Sequence, residues 1–189
     1  THLNDNIIGG DSRSDWYEGY RATLGRDTID GGAGYDRVEY DRSPVSAAGL
    51  DITLTDGDGF AYGKLDGDFD TLYNIESVRG TQYADTITVS STPGHERIFY
   101  QVEGGGGDDT ITGSGYTDLR YGTARAGVHV DLAQGISQSL QTANDAGIGR
   151  DEFTGINGIV GSAYDDLLVG GDTNNEYEVF RGSEGNDTI

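Results

Sequence analysis

This sequence is informative first for what it lacks. It contains no cysteine and no methionine, only two prolines, and only 12 basic residues against 33 acidic ones. Without cysteine the chain has neither disulfides nor thiolate metal sites, although this leaves its cellular compartment open. The net charge of −21 repels polyanions, so we expect no nucleic-acid partner. No apolar run reaches the length that crosses a bilayer and no signal peptide is visible, so we expect no membrane insertion.

What the chain does contain argues for a folded structure. It has 32 glycines, together with 12 tyrosines, 5 phenylalanines and 1 tryptophan, and an acidic disordered tail is poor in aromatic residues. An acidic excess of this size opposes compaction unless cations neutralise it. Because methionine is absent, we expect Thr1 not to be a native start and the chain to be part of a longer protein.

The sequence repeats itself at long range. "DTLYNIESVRGTQYADTI" from Asp70 matches "DEFTGINGIVGSAYDDLL" from Asp151, and "GYDRVEY" from Gly34 matches "GYTDLRY" from Gly115, in both cases 81 residues apart (151 − 70 and 115 − 34). Self-similarity at a fixed period predicts a solenoid. We divide the chain into a first unit at residues 1–79, a second at 80–160 and a partial third at 161–189, which together form one continuous solenoid.

A shorter period runs inside each unit. Gly31–Glu39 reads "GGAGYDRVE" and Gly104–Thr112 reads "GGGGDDTIT", and partial copies begin at Ala22, Gly161, Gly170 and Gly182. These blocks resemble the G-G-x-G-x-D-x-U-x nonapeptide of the RTX (hemolysin-type) calcium-binding proteins. Glycines allow tight turns with positive φ, and aspartate supplies the hard anionic oxygen that calcium prefers. The alternative is a set of plain β-turns with solvated acids, which requires neither the frame nor an Asp at one fixed place.

The resemblance implies an all-β fold, a right-handed parallel β-roll or β-helix solenoid with calcium-binding turns. Six residues of each nonapeptide form a turn and three form a strand, two nonapeptides close a coil, and several Ca²⁺ ions lie between successive turns. The residues that it assigns to metal binding are Asp5, Gly9, Asp11, Gly25, Asp27, Gly31, Gly34, Asp36, Asp85, Gly104, Gly107, Asp109, Asp166, Asp172, Gly185 and Asp187.

The roll predicts which acids stack. We expect three carboxylate pairs, which are Asp5 over Asp27, Asp85 over Asp109, and Asp166 over Asp187. We expect Asp36 to form a site on the opposite edge, against the turn Gly9–Ser14. The inserts around Glu18–Arg21, Ile98–Glu103 and Val179–Arg181 are expected to loop outward. In "GSGYTDLRY" the acid Asp118 is out of step with Asp36, so we expect fewer ions in the second unit than in the first.

Other segments leave alternatives open. The stretches Asp41–Gly80 and Gly122–Gly161 contain no clean nonapeptide, and each suits about two wider coils. "DGDGFAYGKLDGDFD" (Asp56–Asp70) is either an acidic surface loop or a separate calcium site that uses Asp66, Asp68 and Asp70, because it lacks the Glu and the helices of an EF-hand.

The aromatic segment "DWYEGYR" (Asp15–Arg21) also has two interpretations. In one, its aromatic residues pack over the coils; in the other, Trp16, Tyr17 and Tyr20 form a platform for glycans. "HERIF" from His95 is not a zinc motif, because residue 99 is Phe.

For function, the resemblance implies a calcium-binding solenoid module of a secreted bacterial protein, at the cell surface or outside it. Such proteins leave by type I secretion and fold on Ca²⁺ binding outside the cell. We expect no enzymatic activity, since basic residues do not cluster in a groove-like pattern. The alternative is a carbohydrate-binding or adhesive module that contacts extracellular glycans. The parent, with neighbouring repeats, is an adhesin, a toxin, a surface-layer protein or a polysaccharide-active enzyme.

Overall fold

The fold is a two-sided stack of short strands. A computed structural model describes residues 3–10, 17–42, 48–63, 67–93, 98–114, 116–141, 144–171 and 178–189. These residues contain strands and turns and no helix, so none of them forms a helix that is long and apolar enough to cross a membrane. The strands are β1 (Asn6–Ile8), β2 (Glu18–Arg21), β3 (Thr28–Asp30), β4 (Asp36–Glu39), β5 (Asp51–Thr55), β6 (Asp58–Tyr62), β7 (Asp70–Tyr73), β8 (Ser77–Arg79), β9 (Thr86–Ser90), β10 (Tyr100–Glu103), β11 (Thr110–Thr112), β12 (Thr117–Arg120), β13 (Val128–Asp131), β14 (Ile136–Ser139), β15 (Arg150–Thr154), β16 (Gly158–Val160), β17 (Leu167–Val169) and β18 (Val179–Arg181).

The strands form two sheets between which the chain alternates. One sheet has 11 strands in the order β1-β3-β7-β6-β5-β9-β11-β15-β14-β13-β17, and the other has 7 in the order β18-β16-β12-β10-β8-β4-β2. Pairing between successive coils is parallel, as between β9 and β11, where Ile87 lies beside Ile111. The all-β fold with parallel coils confirms the predicted β-roll.

Apolar side chains line the space between the sheets. Strand triplets such as Thr110–Ile111–Thr112 place the middle residue inward and the flanking hydroxyls outward, since side chains alternate along a strand. The residues at these inward positions stack coil upon coil and are almost fully buried. In the larger sheet they include Ile29, Leu72, Ile52, Ile87, Ile111 and Leu168, and in the smaller sheet Val38, Val78, Val102, Leu119 and Ile159.

The stretches without nonapeptides differ from the prediction. Instead of two wider coils, each contains a three-strand meander within the larger sheet, β5-β6-β7 in the first unit and β13-β14-β15 in the second. The middle strand runs antiparallel to both neighbours. We interpreted residues 58–62 as part of an acidic loop or a calcium site, but they form the middle strand β6. Side chains alternate along it, so that Ala61 is buried in the core while Phe60 and Tyr62 face outward.

The segments expected to loop outward are strands. Glu18–Arg21, Tyr100–Glu103 and Val179–Arg181 form β2, β10 and β18 of the smaller sheet. Tyr20 and Phe180 hold the inward positions there and pack against the core. That prediction was wrong because these segments pair with neighbouring coils and their aromatic residues pack against the core.

Candidate metal-binding turns

A column of aspartates runs along one edge of the larger sheet. Most of them stand directly before a strand, whereas Asp70 and Asp151 lie at the start of β7 and β15 and Asp187 precedes an isolated bridge at Thr188. The Oδ1 of each acceptor takes a hydrogen bond from the backbone N–H of the aligned residue in a neighbouring coil. The donors are the amides of Asp5 to Asp27 (3.0 Å), Asp27 to Asp70 (2.9 Å), Leu50 to Asp85 (2.7 Å), Asp85 to Asp109 (2.8 Å), Asp109 to Asp151 (3.2 Å), Val128 to Asp166 (2.8 Å) and Asp166 to Asp187 (3.0 Å).

This column confirms the predicted stacking of all three pairs. Asp5 lies beside Asp27, Asp85 beside Asp109, and Asp166 beside Asp187, in the register that the strand pairing gives. The structure extends the column with Asp70 and Asp151, which we had not paired. Whether these aspartates bind calcium stays a prediction.

The acid Asp36 lies on the opposite edge, as predicted. The turn that precedes it packs on the turn after β1, where the Ala33 amide donates to the Gly10 carbonyl (3.4 Å) and the Gly9 amide donates to the Asp30 carbonyl (2.7 Å). Gly9 and Gly31 are in such close contact that a side chain on Gly9 would overlap the Gly31 carbonyl. Two predicted ligands, Asp11 and Asp172, lie outside the described residues.

The carboxylate of Asp36 is buried and incompletely hydrogen-bonded within the described part of the chain. Asp36 is 0% exposed, and neither of its side-chain oxygens accepts a hydrogen bond among the described residues. Burial, with the nearby negative charges of Glu18 and Asp30, raises its pKa to about 6. The hydroxyl of Tyr20 lies close by but donates to Glu18 Oε2 (2.6 Å). A buried anion that faces other anions requires a cation or a proton.

In the aspartate column, Asp109 likewise has a carboxylate oxygen without a hydrogen-bond partner among the described residues. Its Oδ1 accepts the Asp85 amide, whereas its Oδ2 is buried and has no partner in the described part of the chain. Burial and the charge of Asp151 raise the pKa of Asp109 to about 9. Burial also raises the pKa of Asp151 to about 7. Asp109 and Asp151 therefore form a second place where negative charge is concentrated and incompletely compensated.

Positive-φ glycines shape the turn before Asp109. Gly105 and Gly107 both have φ of 101°, which residues with a side chain rarely adopt. Gly107 also lies so close to the backbone of Tyr83 and Ala84 in the coil beneath that a β-carbon would overlap them. The Thr81 carbonyl likewise packs directly against Gly105, and Gly104 begins the turn directly beside Asp109 Oδ2.

Sequence reasoning missed the turn that stacks on this one. Residues 146–151 read "AGIGRD", with positive φ at Gly147 and Gly149 and the acid Asp151 in the sixth position. The Gly107 carbonyl contacts Gly149, and the Gly147 carbonyl contacts Gly106. The signal was present in the alternating glycines and the terminal Asp, but the segment lacks the initial glycine pair.

The remaining predicted residues lie in related turns. Gly25, Gly34 and Gly185 have positive φ, of 99°, 139° and 114° respectively. Asp27 is buried, whereas Asp187 is partly exposed in the last turn. In the acidic segment of the first unit, Asp68 pairs with Arg26 (3.4 Å) and Asp70 accepts the Tyr40 hydroxyl (3.1 Å); Asp66 lies outside the described residues.

The second unit has no acid at the place of Asp36. The strand register puts Thr117 there, and its amide donates to Asn157 Oδ1 (3.2 Å). The out-of-step acid Asp118 is neutralised by Arg181 (2.7 Å). The Asp36 position therefore has no counterpart in the second unit, while the number of ions that each unit binds stays a prediction.

The atoms that these turns offer to a metal ion are oxygens, which are the ligands that Ca²⁺ prefers. Calcium takes six to eight hard oxygen ligands at about 2.3–2.6 Å, among which backbone carbonyls are common. No group of three or more His, Cys, Asp or Glu side chains converges on one point within the described ranges. Each candidate turn supplies one or two carboxylates, so carbonyls must complete any oxygen shell. The unpartnered carboxylate oxygens of Asp36 and Asp109 fit such a site.

One comparison with known proteins matches part of the chain. The family model described as "RTX calcium-binding nonapeptide repeat (4 copies)" matches residues 21–41, 101–119 and 153–177. The first range contains Asp36 and the second contains Asp109. No curated protein matches the chain.

Proposed function

We propose, because this chain carries RTX calcium-binding nonapeptide repeats, that it is a solenoid segment of a secreted bacterial protein which folds when it binds Ca²⁺ outside the cell. Calcium binding is a property of the repeat family; the residues that bind, the compartment and the coupling to folding are the proposal. The observation that carries it is a pair of buried acids: both carboxylate oxygens of Asp36 and Oδ2 of Asp109 lack a hydrogen-bond partner among the described residues.

Two ion positions follow from this observation. At the first, Asp36 and Glu18 face the turn around Gly9 and Gly31. At the second, Asp109 and Asp151 lie between stacked glycine-rich turns. When bound there, Ca²⁺ supplies positive charge that offsets the repulsion between the carboxylates. The residues themselves position the carboxylates, exclude water and present backbone oxygens toward them. The other predicted turns, including those of Asp5, Asp11 and Asp172, stay candidates for further ions.

The export part of the proposal rests on charge and ion availability. At low cytosolic calcium the net charge of −21 and the uncompensated buried acids both disfavour the compact state, which suits passage through a type I secretion channel. Millimolar Ca²⁺ outside the cell then drives folding. In this proposal the segment is a spacer or scaffold among neighbouring repeats of a longer chain, divided near residues 80 and 161, and it has no catalytic role.

Calcium titration of matched variants tests the proposal. Asp109→Asn keeps the shape of the side chain and removes its charge, and Asp51→Asn removes the same charge from an exposed position of β5. We expect the Asp109→Asn variant to bind fewer ions in equilibrium dialysis and to require more calcium for folding, while Asp51→Asn behaves like the parent chain. Equal ion counts in all three proteins would contradict the assignment. Protease resistance that appears only with calcium would support folding after export.

A second candidate function, glycan binding, has one observation in its favour. Phe60 and Tyr62 are 42% and 46% exposed and form an aromatic cluster with Phe69, with ring centroids 5.1–6.0 Å apart. The Arg26 guanidinium stacks on Phe69 (4.3 Å). Exposed aromatic rings beside charged groups suit sugar stacking.

The residues first considered for glycan binding are differently placed. Trp16 lies outside the described residues, Tyr17 stacks on Arg37 (5.3 Å) and the Tyr20 hydroxyl donates to Glu18. A glycan array probed at saturating calcium, with Tyr62→Ala as the comparison, tests this candidate. Loss of a glycan signal in that variant supports it, and absence of any signal from the parent chain rejects it.

A further inference from the structure

Two turns of the aspartate column are closed by hydroxyl side chains. We call Gly80–Asp85 and Gly161–Asp166 the hydroxyl turns; they read "GTQYAD" and "GSAYDD" and lie 81 residues apart (161 − 80). Both have Thr or Ser in the second position, where the turns of Asp36 and Asp109 have glycine. The turns Gly31–Asp36 and Gly104–Asp109 are called the glycine-pair turns.

In the first hydroxyl turn both oxygens of the buried carboxylate accept hydrogen bonds. The Thr81 amide donates to Asp85 Oδ2 (2.6 Å), and the Thr81 hydroxyl donates to Asp85 Oδ1 (3.0 Å). The Leu50 amide of a neighbouring coil donates to Oδ1 as well (2.7 Å). Asp85 is 2% exposed, so these three donors replace water around a buried anion.

The second hydroxyl turn repeats this arrangement atom for atom. The Ser162 amide donates to Asp166 Oδ2 and the Ser162 hydroxyl to Oδ1, both at 2.7 Å, and the Val128 amide donates to Oδ1 (2.8 Å). In each turn the hydroxyl also accepts a backbone amide, that of Tyr83 (3.0 Å) or Tyr164 (3.1 Å). In the last turn, Gly182–Asp187, Ser183 also holds the second position, but it has φ of 77° and its hydroxyl donates to the Gly161 carbonyl (3.3 Å). The arrangement therefore recurs in two distant parts of the chain without following from a hydroxyl residue alone.

The glycine-pair turn of Asp109 provides the contrast. Asp109 occupies the same column and is also 2% exposed, yet its Oδ2 accepts no hydrogen bond in the described part of the chain. The second residue of this turn, Gly105, has no hydroxyl and takes φ of 101°. In the other glycine-pair turn Gly32 has φ of 84°, whereas neither Thr81 nor Ser162 has positive φ. In these four turns, a Thr or Ser without positive φ accompanies a hydrogen-bonded carboxylate, and a Gly with positive φ accompanies a carboxylate oxygen that has no partner among the described residues.

We propose that the hydroxyl turns take no calcium, and that Thr81 and Ser162 satisfy the carboxylate in the way that the cation does in the glycine-pair turns. This inference rests on the proposed function, because it assigns the ions to some turns of the column and not to others. Whether such a turn requires calcium then depends on whether its second residue donates to the carboxylate. It also revises our first expectation that Asp85 and Asp166 are ligands. The turn Ala22–Asp27 is a looser version, since Thr23 approaches Asp27 at 3.3–3.4 Å.

Ion counting on variants of the whole chain separates this inference from the proposed function. Bound calcium is measured by equilibrium dialysis and elemental analysis at saturating Ca²⁺, with circular dichroism as a check of folding. We expect Asp109→Asn to bind at least one ion fewer than the parent chain. We expect Asp85→Asn and Asp166→Asn to bind as many as the parent. A lower count in the folded Asp85→Asn variant overturns the inference and leaves the function standing. An unchanged count in Asp109→Asn contradicts the proposed function instead.

A second variant covers the case in which Asp85→Asn fails to fold. Thr81→Val keeps the carboxylate and removes only the hydroxyl. We expect it to retain the ion count of the parent chain and to melt about 3–10 °C lower at saturating calcium, because a hydrogen bond to a buried charge is lost. An unchanged melting temperature, or a lower ion count, overturns the role assigned to Thr81.

Discussion

The calcium-free chain should become more stable as the pH falls from about 7.5 to about 5, and Asp109 should cause much of the change. Its pKa is raised from 3.8 to about 9 in the fold by burial and by Asp151. Between pH 3.8 and about pH 9 the folded state therefore binds more protons than the unfolded state. The stability from this group is present below pH 3.8 and is lost as the pH rises toward 9. Because pH 7 lies about 3 pH units above the unfolded-state pKa (7 − 3.8), the folded chain loses roughly 4 kcal/mol of stability between low pH and pH 7. That is a large part of the 5–15 kcal/mol that typically holds a domain together.

Urea unfolding of the calcium-stripped protein, followed by circular dichroism across this pH range, measures the effect. High salt, at about 1 M, screens the general repulsion of the acidic surface, and Asp109→Asn serves as the control because it removes the titrating group. We expect the parent chain to gain more stability on acidification than the variant. With saturating calcium the trend should reverse, since protons compete with the ion for the carboxylates. An identical pH dependence in the two calcium-free proteins would refute the reasoning.

Four further predictions concern the ions and the core. Magnesium should restore little structure at concentrations where calcium restores it fully, because Mg²⁺ requires a tight octahedral shell and retains its waters; equal potency in a circular dichroism titration would contradict this. Asp36→Thr, which copies Thr117 of the second unit, should remove one ion in equilibrium dialysis, and an unchanged count would exclude Asp36 as a ligand. Ile111→Ala should cost about 2–5 kcal/mol in urea unfolding at saturating calcium, since Ile111 is 1% exposed within the coil stack; a cost below about 1 kcal/mol would show that the stack relaxes. Glu103→Gln should cost about 3–5 kcal/mol in the same assay, because it removes the carboxylate 2.6 Å from the buried Arg37 and leaves only the more distant Glu39 (3.9 Å) beside it; a neutral effect would indicate that Glu39 is sufficient.

The repeat frame predicted the architecture because each coil is built from the same short sequence pattern. An apolar residue in the middle of each triplet, an acid before it and a glycine-rich turn together define a coil, and the stacking of Asp5 on Asp27 follows from that period. The meanders were not predicted. "DGFAY" has an acid and a glycine in its first two positions, and only the burial of Ala61 between neighbouring strands identifies it as β6. Likewise, the aromatic residue Tyr20 suggested an insert until its partners in the smaller sheet were known.

The distinction between the turns was hidden in the sequence for a physical reason. An Asp in the sixth position looks alike in every copy, and its need for an ion depends on the donors that reach it. Thr81 was visible, but that its amide and its hydroxyl both point at Asp85 is a property of the folded turn. The partner Asp151 was overlooked because its turn begins with alanine instead of glycine.

Far-ultraviolet circular dichroism of the chain at neutral pH, first with EGTA and then with millimolar Ca²⁺, tests the central claim most directly. If calcium closes the glycine-pair turns and offsets the buried charge at Asp36 and Asp109, the strand signal is largely absent in EGTA and returns when calcium is added in excess. A strand spectrum that is the same in EGTA and in calcium would contradict the account.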